Sequence, residues 1–257
     1  MPIPSKYCRG RIRPAAAVLA ALPAFALSSL AATLPPAPSQ MIFTEEVASP
    51  SYAGTLGNST AGDCTIAGAL RLQQSWTART RPSALQFSDQ QALADYSALS
   101  GYNPATGAND TGLVETDVLD YWTKTGFEGN KLAGYATLDP RNIDHAKQSI
   151  ATFGGVYLGL NLPASAEEQT DAGQPWTVPW LIPRILGGHC VVGLEYDEYY
   201  IYVGTWAKRQ PVAWDFYLRF FDAAYAPVDA LWIEASGLSP SGLGLAALTA
   251  DLPAVAN

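Results

Sequence analysis

The thiol at position 64 and the imidazole at position 189 are the two side chains whose settings suit nucleophilic chemistry. Cys64 follows a Gly-Asp turn in "GNSTAGDCTIAGAL" (57–70) and opens a run with helical periodicity, with Asp63 as the expected N-cap. A thiol attacks only as thiolate, and the positive end of a helix lowers the cost of that ionisation. Acyl transfer also needs a base within reach and donors aimed at the developing oxyanion. The sequence holds two histidines. His145, in "NIDHAKQSI" between Asp144 and Lys147, reads as a solvated helix residue. His189, in "LGGHCVVGLEYDE", follows two glycines that clear space and starts a strand, which makes it the better base. Strand alternation sends the neighbouring Cys190 to the opposite face, into the core. The same alternation argues against the rival reading, a Cys64–Cys190 disulfide in an exported protein.

The elements that must position this pair fall into two groups. The helix from Cys64 carries Ile66, Ala69, Leu70 and Trp76 near one face. "FSDQQALADYSALSG" (87–101) has Ser88 and Gln91 at capping-box spacing, with Leu93, Tyr96 and Leu99 along one side. "LVETDVLDYWTKTG" (113–126) places Val114, Val118, Tyr121 and Trp122 at helical intervals and stops at Gly126. "NIDHAKQSIATFGG" (142–155) ends at Gly154 and Gly155. The period then changes. "GVYLGLNL" (155–162), "HCVVGLEYD" (189–197) and "YYIYVGTW" (199–206) are β-branched and aromatic, with turn residues between them. Helices followed by strands predict an α+β fold, a helical layer packed against an antiparallel sheet.

Composition bounds the rest. A chain of 257 residues with 48% hydrophobic and 15% charged residues supports one large domain, expected over 41–235. The net charge is −8, and four of the 15 basic residues, Lys6, Arg9, Arg11 and Arg13, precede the first acidic residue, Glu45. The remaining body is strongly acidic and shows no basic patch, which argues against nucleic-acid binding. The basic front, the apolar stretch from Ala15 to Leu27 and the small Ser29 and Ala31 match a secretory leader over 1–32, removed with Cys8 on export to the periplasm or beyond. A start at Met41 is the competing reading and implies a cytoplasmic protein. No later apolar run is long enough to span a membrane. "TLPPAPSQ" (33–40) reads as a Pro-rich linker, and residues 236–257 as a low-complexity tail. No Cys/His spacing suits zinc, and no phosphate-binding loop is present, so neither a metal nor an organic cofactor is expected. "NST" at 58 matches a glycosylation pattern, and modification there would block Asn58.

In order along the body, these segments resemble the papain-like cysteine peptidases, closest to a divergent bacterial or phage-type branch. Asn58 stands six residues before Cys64, where that family has its oxyanion Gln. "FSDQQALADYS" resembles its second helix, "DTGLVETDVLDYWTKTG" its Gly-rich approach to the next, "GGHCVVGLEYDE" its histidine strand, and "YIYVGTWA" its Asn-Ser-Trp-Gly strand. The departures are Ala61 for the disulfide cysteine, Thr65 for the Trp after the nucleophile, and Gly204 where aligning Trp206 places the orienting Asn. Thr205 is a weak substitute for that Asn, with Asp215 and Asp222 as further candidates. Trp206 is expected to shield the strand end or cover His189. The resemblance implies a peptidase or amide hydrolase. Cys64 attacks a carbonyl, His189 holds the thiolate as an ion pair and protonates the leaving amine, and the Cys64 N–H with the Asn58 side chain binds the oxyanion. The alternatives are a silent papain-like binding module and a Cys-dependent acyltransferase or amidase. The partner is a peptide or protein substrate, with walls from loops such as 163–180. No propeptide helix is recognisable before Thr55, so no long-lived zymogen is expected.

Overall fold

The computed structural model describes residues 7–13, 36–233, 237–239, 242, 244 and 246. Its spine is a six-stranded antiparallel sheet in the order β3-β8-β4-β5-β6-β7. The strands are β3 (Leu132–Thr137), β4 (Val156–Pro163), β5 (Ile185–Tyr196), β6 (Tyr200–Thr205), β7 (Lys208–Ala213) and β8 (Phe221–Asp229). The described helices are α1 (Glu45–Ser51), α2 (Cys64–Thr80), α3 (Asp89–Ser100), α4 (Glu115–Lys124), α5 (Ile143–Phe153), α6 (Ala164–Asp171) and α7 (Trp214–Phe220). A small parallel pair, β1 (Arg11–Ile12) with β2 (Leu113–Val114), stands apart from the main sheet.

Local chemistry sets the helix ends. Ser88 and Gln91 form the reciprocal capping box that opens α3, and Gly154, left-handed at φ 78°, closes α5. Helix α2 is buried along its length from Cys64 to Thr77 because it lies between the sheet and the other helices of its layer. Trp76 donates to the Phe153 carbonyl at 2.9 Å, tying its far end to α5.

Strand alternation splits the core in two. Cys190, Val192 and Leu194 of β5 join Leu70, Trp76 and Trp122 on the helical side, while Val191 joins Leu158, Leu160 and Phe216 on the other. This is the expected α+β architecture. Three strands differ from the expectation: β3 lies between two helices in sequence, and β7 and β8 complete the sheet around α7. Residues 1–6 and 14–32 of the expected leader lie outside the described residues, as does most of the expected tail.

Candidate active site

Cys64 begins α2 at the end of a tight loop. Asp89 accepts from the Gly57 N–H at 2.9 Å, and the Asn58 side-chain amide donates to the Ala61 carbonyl at 3.1 Å. Asp63 occupies the N-cap position, but its carboxylate makes no capping bond, which corrects the expected cap. Both its oxygens are buried without a hydrogen-bond partner, and burial raises its carboxyl well above the usual range. The backbone N–H groups of Cys190 and Gly10 lie near the Cys64 sulfur and favour its ionised form. Burial nevertheless pushes its thiol from 9 up to about 12. That rise corresponds to about 4 kcal/mol. A helix N-terminus typically returns about 0.3–1 kcal/mol, so burial wins and Cys64 is a thiol in this state.

His189 lies on β5, fully buried. Its Nε2 sits 2.8 Å from the Thr205 hydroxyl oxygen, and its ring stacks on Trp206 with centroids 4.5 Å apart and planes 15° apart. Its Nδ1 has no hydrogen-bond partner. Burial, reinforced by the positive charge of Arg9, lowers it to about 3, so the imidazole is neutral. Register explains why Thr205 and not Gly204 meets it. Gly204 pairs with Val192 and so faces α2, where a Cβ would come 2.2 Å from Arg71 Cδ. Thr205, one residue on, points to the other face with His189. Trp206 and Ala207 then form a two-residue hairpin loop with φ 46° and 58°, closed by the Thr205–Lys208 pair. Holding a non-glycine residue there costs about 1–2 kcal/mol, and it lays the indole over the imidazole.

Asn58, Cys64, Thr205 and Trp206 line one small cavity together with Arg71 and Gly204. Cys190 lines that cavity with Cys64 and His189 does not: strand alternation carries the imidazole to the other face of β5, and Trp206, which lines the cavity and stacks on the ring, is the residue common to both. No hydrogen bond links Cys64 Sγ to His189 Nδ1, and both groups are neutral, so the expected ion pair is not formed in this state. The three cysteines are free, but Cys190 is buried in the same core cluster as Cys64 and lines the same cavity, so strand alternation separates Cys190 from His189 and not from Cys64. Asp215 accepts from the Phe216 N–H and Asp222 pairs with arginine, while the side chain hydrogen-bonded to the imidazole is Thr205. His145 accepts from the Asp139 N–H at 3.4 Å on the surface of α5.

Residues 7–13 cover this arrangement. Tyr7 stacks on Trp206 at 4.3 Å and donates to Asp171 of α6, and Arg9 pairs with Glu167 at 2.7 Å. The Cys8 carbonyl accepts from the Trp206 indole at 3.2 Å, and the Gly10 carbonyl from the Leu113 N–H at 2.7 Å. Arg11 extends into a pocket formed by Glu115 and Asp222. The floor beneath is made of glycine: a Cβ at Gly112 would fall 1.7 Å from the Gly10 carbonyl oxygen, and one at Gly188 2.3 Å from that of Arg11. Gly188 inside β5 and Gly112, at φ 78° just before β2, each mark a close approach of another backbone, and here that backbone is the chain's own front. Residues 7–13, which fall within the expected leader, thus pack over the site. Sequence reading also passed over Arg71, which lines the cavity from α2 and donates to the carbonyls of Ser51, Ala53 and Gly54 at 3.3, 3.3 and 2.6 Å. Its position seven residues after Cys64, on the same helical face, is the signal that could have found it.

The architecture has known counterparts. Xylellain, a cysteine protease from Xylella fastidiosa, superposes with a TM-score of 0.62 at 15% identity, covering 90% of this chain and 99% of its own. The digestive procathepsin L2 proteinase of Tenebrio molitor gives 0.56 at 14% identity over 88% and 81%, and the Carica candamarcensis cysteine protease CMS1MS2 gives 0.51 at 13% over 75% and 99%. The chain has the papain-like cysteine protease fold. No protein-family model matches its sequence. No curated protein matches it either.

Proposed function

We propose that the protein is a cysteine peptidase or related amide hydrolase whose reacting groups are Cys64 and His189. The observation that carries this reading is the state of the imidazole: one nitrogen held by Thr205, one face covered by Trp206, and Nδ1 left without a partner. A ring pinned in that way has a single nitrogen to offer, on the strand whose next N–H already reaches the Cys64 sulfur. With Nε2–H donating to Thr205, Nδ1 is the acceptor. It takes the thiol proton as Cys64 attacks a carbonyl carbon, and returns it to the leaving amine. The Cys64 N–H and the Asn58 amide are the oxyanion donors, after the amide turns from the Ala61 carbonyl. Water then hydrolyses the thioester.

The chemistry belongs to the uncovered form. Residues 7–13 present the Gly10 N–H to the sulfur, so no carbonyl carbon of the covering segment stands where it would be attacked. Departure of that segment admits water, and solvation of the sulfur lets the helix terminus and His189 favour thiolate. The test is alkylation by iodoacetamide between about pH 5 and 7, where an ordinary thiol is protonated. Fast labelling of Cys64 in the uncovered chain, lost in His189→Ala, supports the enzyme. Labelling no faster than a small-molecule thiol favours a second reading, a silent binding module. That reading draws on the neutral, unlinked state of the two groups under the covering segment. Product analysis separates hydrolysis from acyl transfer.

A further inference from the structure

We propose that Glu115 and Asp222 form a recognition pocket for an arginine side chain of the substrate, within two residues of the bond that Cys64 attacks; this rests on the peptidase reading above. The pocket is now filled by the chain's own Arg11. The Arg11 and Glu115 side chains are fully shielded from solvent, and Asp222 is 15% exposed. Arg11 Nε donates to Glu115, and Nη1 lies 2.6 Å from Asp222 Oδ1. The other Asp222 oxygen accepts from Asn161 at 2.8 Å and pairs with Nε of the exposed Arg13 at 3.1 Å.

Two observations separate this pocket from an ordinary buried ion pair. The first is its shape. Gly159 in the middle of β4 leaves the space that the guanidinium fills: a Cβ there would lie 1.9 Å from Glu115 Oε1 and 2.6 Å from Arg11 Nε. A central strand gives up packing and backbone order to keep glycine, and close approach of another group is the reason it does so. The second is the residual polarity of the walls. Glu115 Oε2 is buried and has no hydrogen-bond partner even with Arg11 in place, and Arg11 Nη1 and Nη2 and Asp222 Oδ1 likewise make no hydrogen bond of good geometry, so Arg11 fills the pocket without satisfying it. Two carboxyls on either side of one guanidinium, with an oxygen to spare, offer more acceptors than a single ammonium would use and suit a fork of N–H donors.

The pocket opens beside the reacting sulfur. Arg11 follows Gly10, whose N–H meets Cys64, so a side chain seated between Glu115 and Asp222 fixes the position of the adjoining backbone in the cleft. A substrate arginine would do the same, and residues 7–13 compete with it for the site.

The test uses alanine/glycine octapeptides with one arginine stepped through each position and a matching set with citrulline, which keeps the shape and removes the charge. Binding is read by fluorescence anisotropy on the full chain carrying Cys64→Ala and Arg11→Ala, which vacates the pocket without turnover. At one or two positions arginine should bind roughly tenfold or more tighter than citrulline. Asp222→Asn and Glu115→Gln should each level the two sets, and the former, at the more exposed carboxylate, remains informative if the buried Glu115→Gln fails to fold. Equal affinities for the two sets, or no binding of either, overturns the inference. Cleavage of the same peptides by the chain carrying only Arg11→Ala is scored separately. Cleavage without arginine preference removes the pocket and leaves the peptidase; arginine-selective binding without cleavage does the reverse.

Discussion

Thr205 and His189 meet at 2.8 Å across neighbouring strands, hydroxyl oxygen to Nε2, with Trp206 closing the ring face above them. The contact selects the tautomer: if Nδ1 is to accept a proton, Nε2 carries one and Thr205 accepts it. Thr205→Val keeps the volume and removes the acceptor, and should lower kcat/KM roughly 100-fold, within the range positioned proton transfer supplies. Thr205→Ser should restore most of the rate. A purely structural Thr205 would give equal losses in the two variants, read as steady-state kinetics of the uncovered chain on a cleaved peptide.

The covering segment should control access to Cys64. Arg11→Ala removes the fully buried one of the three cations that seat it, the others being Arg9 on Glu167 and Arg13 on Asp222, and a full chain with this change should be alkylated at Cys64 at least tenfold faster at pH 6 than the unmodified one. Should residues 1–32 be removed as a leader, the same segment goes with them, and processing would uncover the site in the same step. N-terminal sequencing of exported material, alongside its labelling rate, checks that expectation.

Two buried groups shape stability against pH with opposite sign. His189 is held at about 3 in the fold against 6.5 outside it, so its contribution is intact above pH 6.5 and is lost as pH falls toward 3. Glu115 is pushed up to about 7 by burial, against the pull of Arg11, so its contribution is intact below about 4.5 and is lost as pH rises through 7. His189→Gln should flatten the acid limb of Tm against pH, and Glu115→Gln the limb between about 4.5 and 7, in thermal melts across pH 3 to 8.

Gly204 carries a packing demand. A Cβ there would lie 2.2 Å from Arg71 Cδ, and Arg71 holds three carbonyls of the segment leading to the Asn58 loop. Gly204→Ala should cost about 1–3 kcal/mol. In a chain of this size that is a fall in Tm of about 2–4 °C per kcal/mol. Gly173→Ala, with no heavy atom within 4 Å but at φ 65°, should cost only the backbone strain of about 1 kcal/mol.

The sequence spelled out the elements whose signals are local. The Ser88–Gln91 box, the Gly154 stop and the alternating run of β5 are short-range patterns, and each forms where its chemistry directs. The register of the His189 site was half legible. Aligning Trp206 pointed to Gly204, while strand alternation and the left-handed hairpin deliver Thr205. The cover was not legible at all. Lys6, Arg9, Arg11 and Arg13 before an apolar run read as a leader, and the partners that seat the three arginines, Glu115, Glu167 and Asp222, lie 104 residues or more away. Burial of Cys64 follows from the same long-range placement, which is why its expected acidity is reversed in the covered state.

The most direct measurement is the rate of Cys64 alkylation by iodoacetamide at pH 6 in a chain lacking residues 1–35, with and without His189→Ala. The account predicts labelling well above that of a small-molecule thiol, lost when the imidazole is removed, and slow labelling in the full chain. A rate no greater than that of the free thiol, unchanged by His189→Ala, would contradict it.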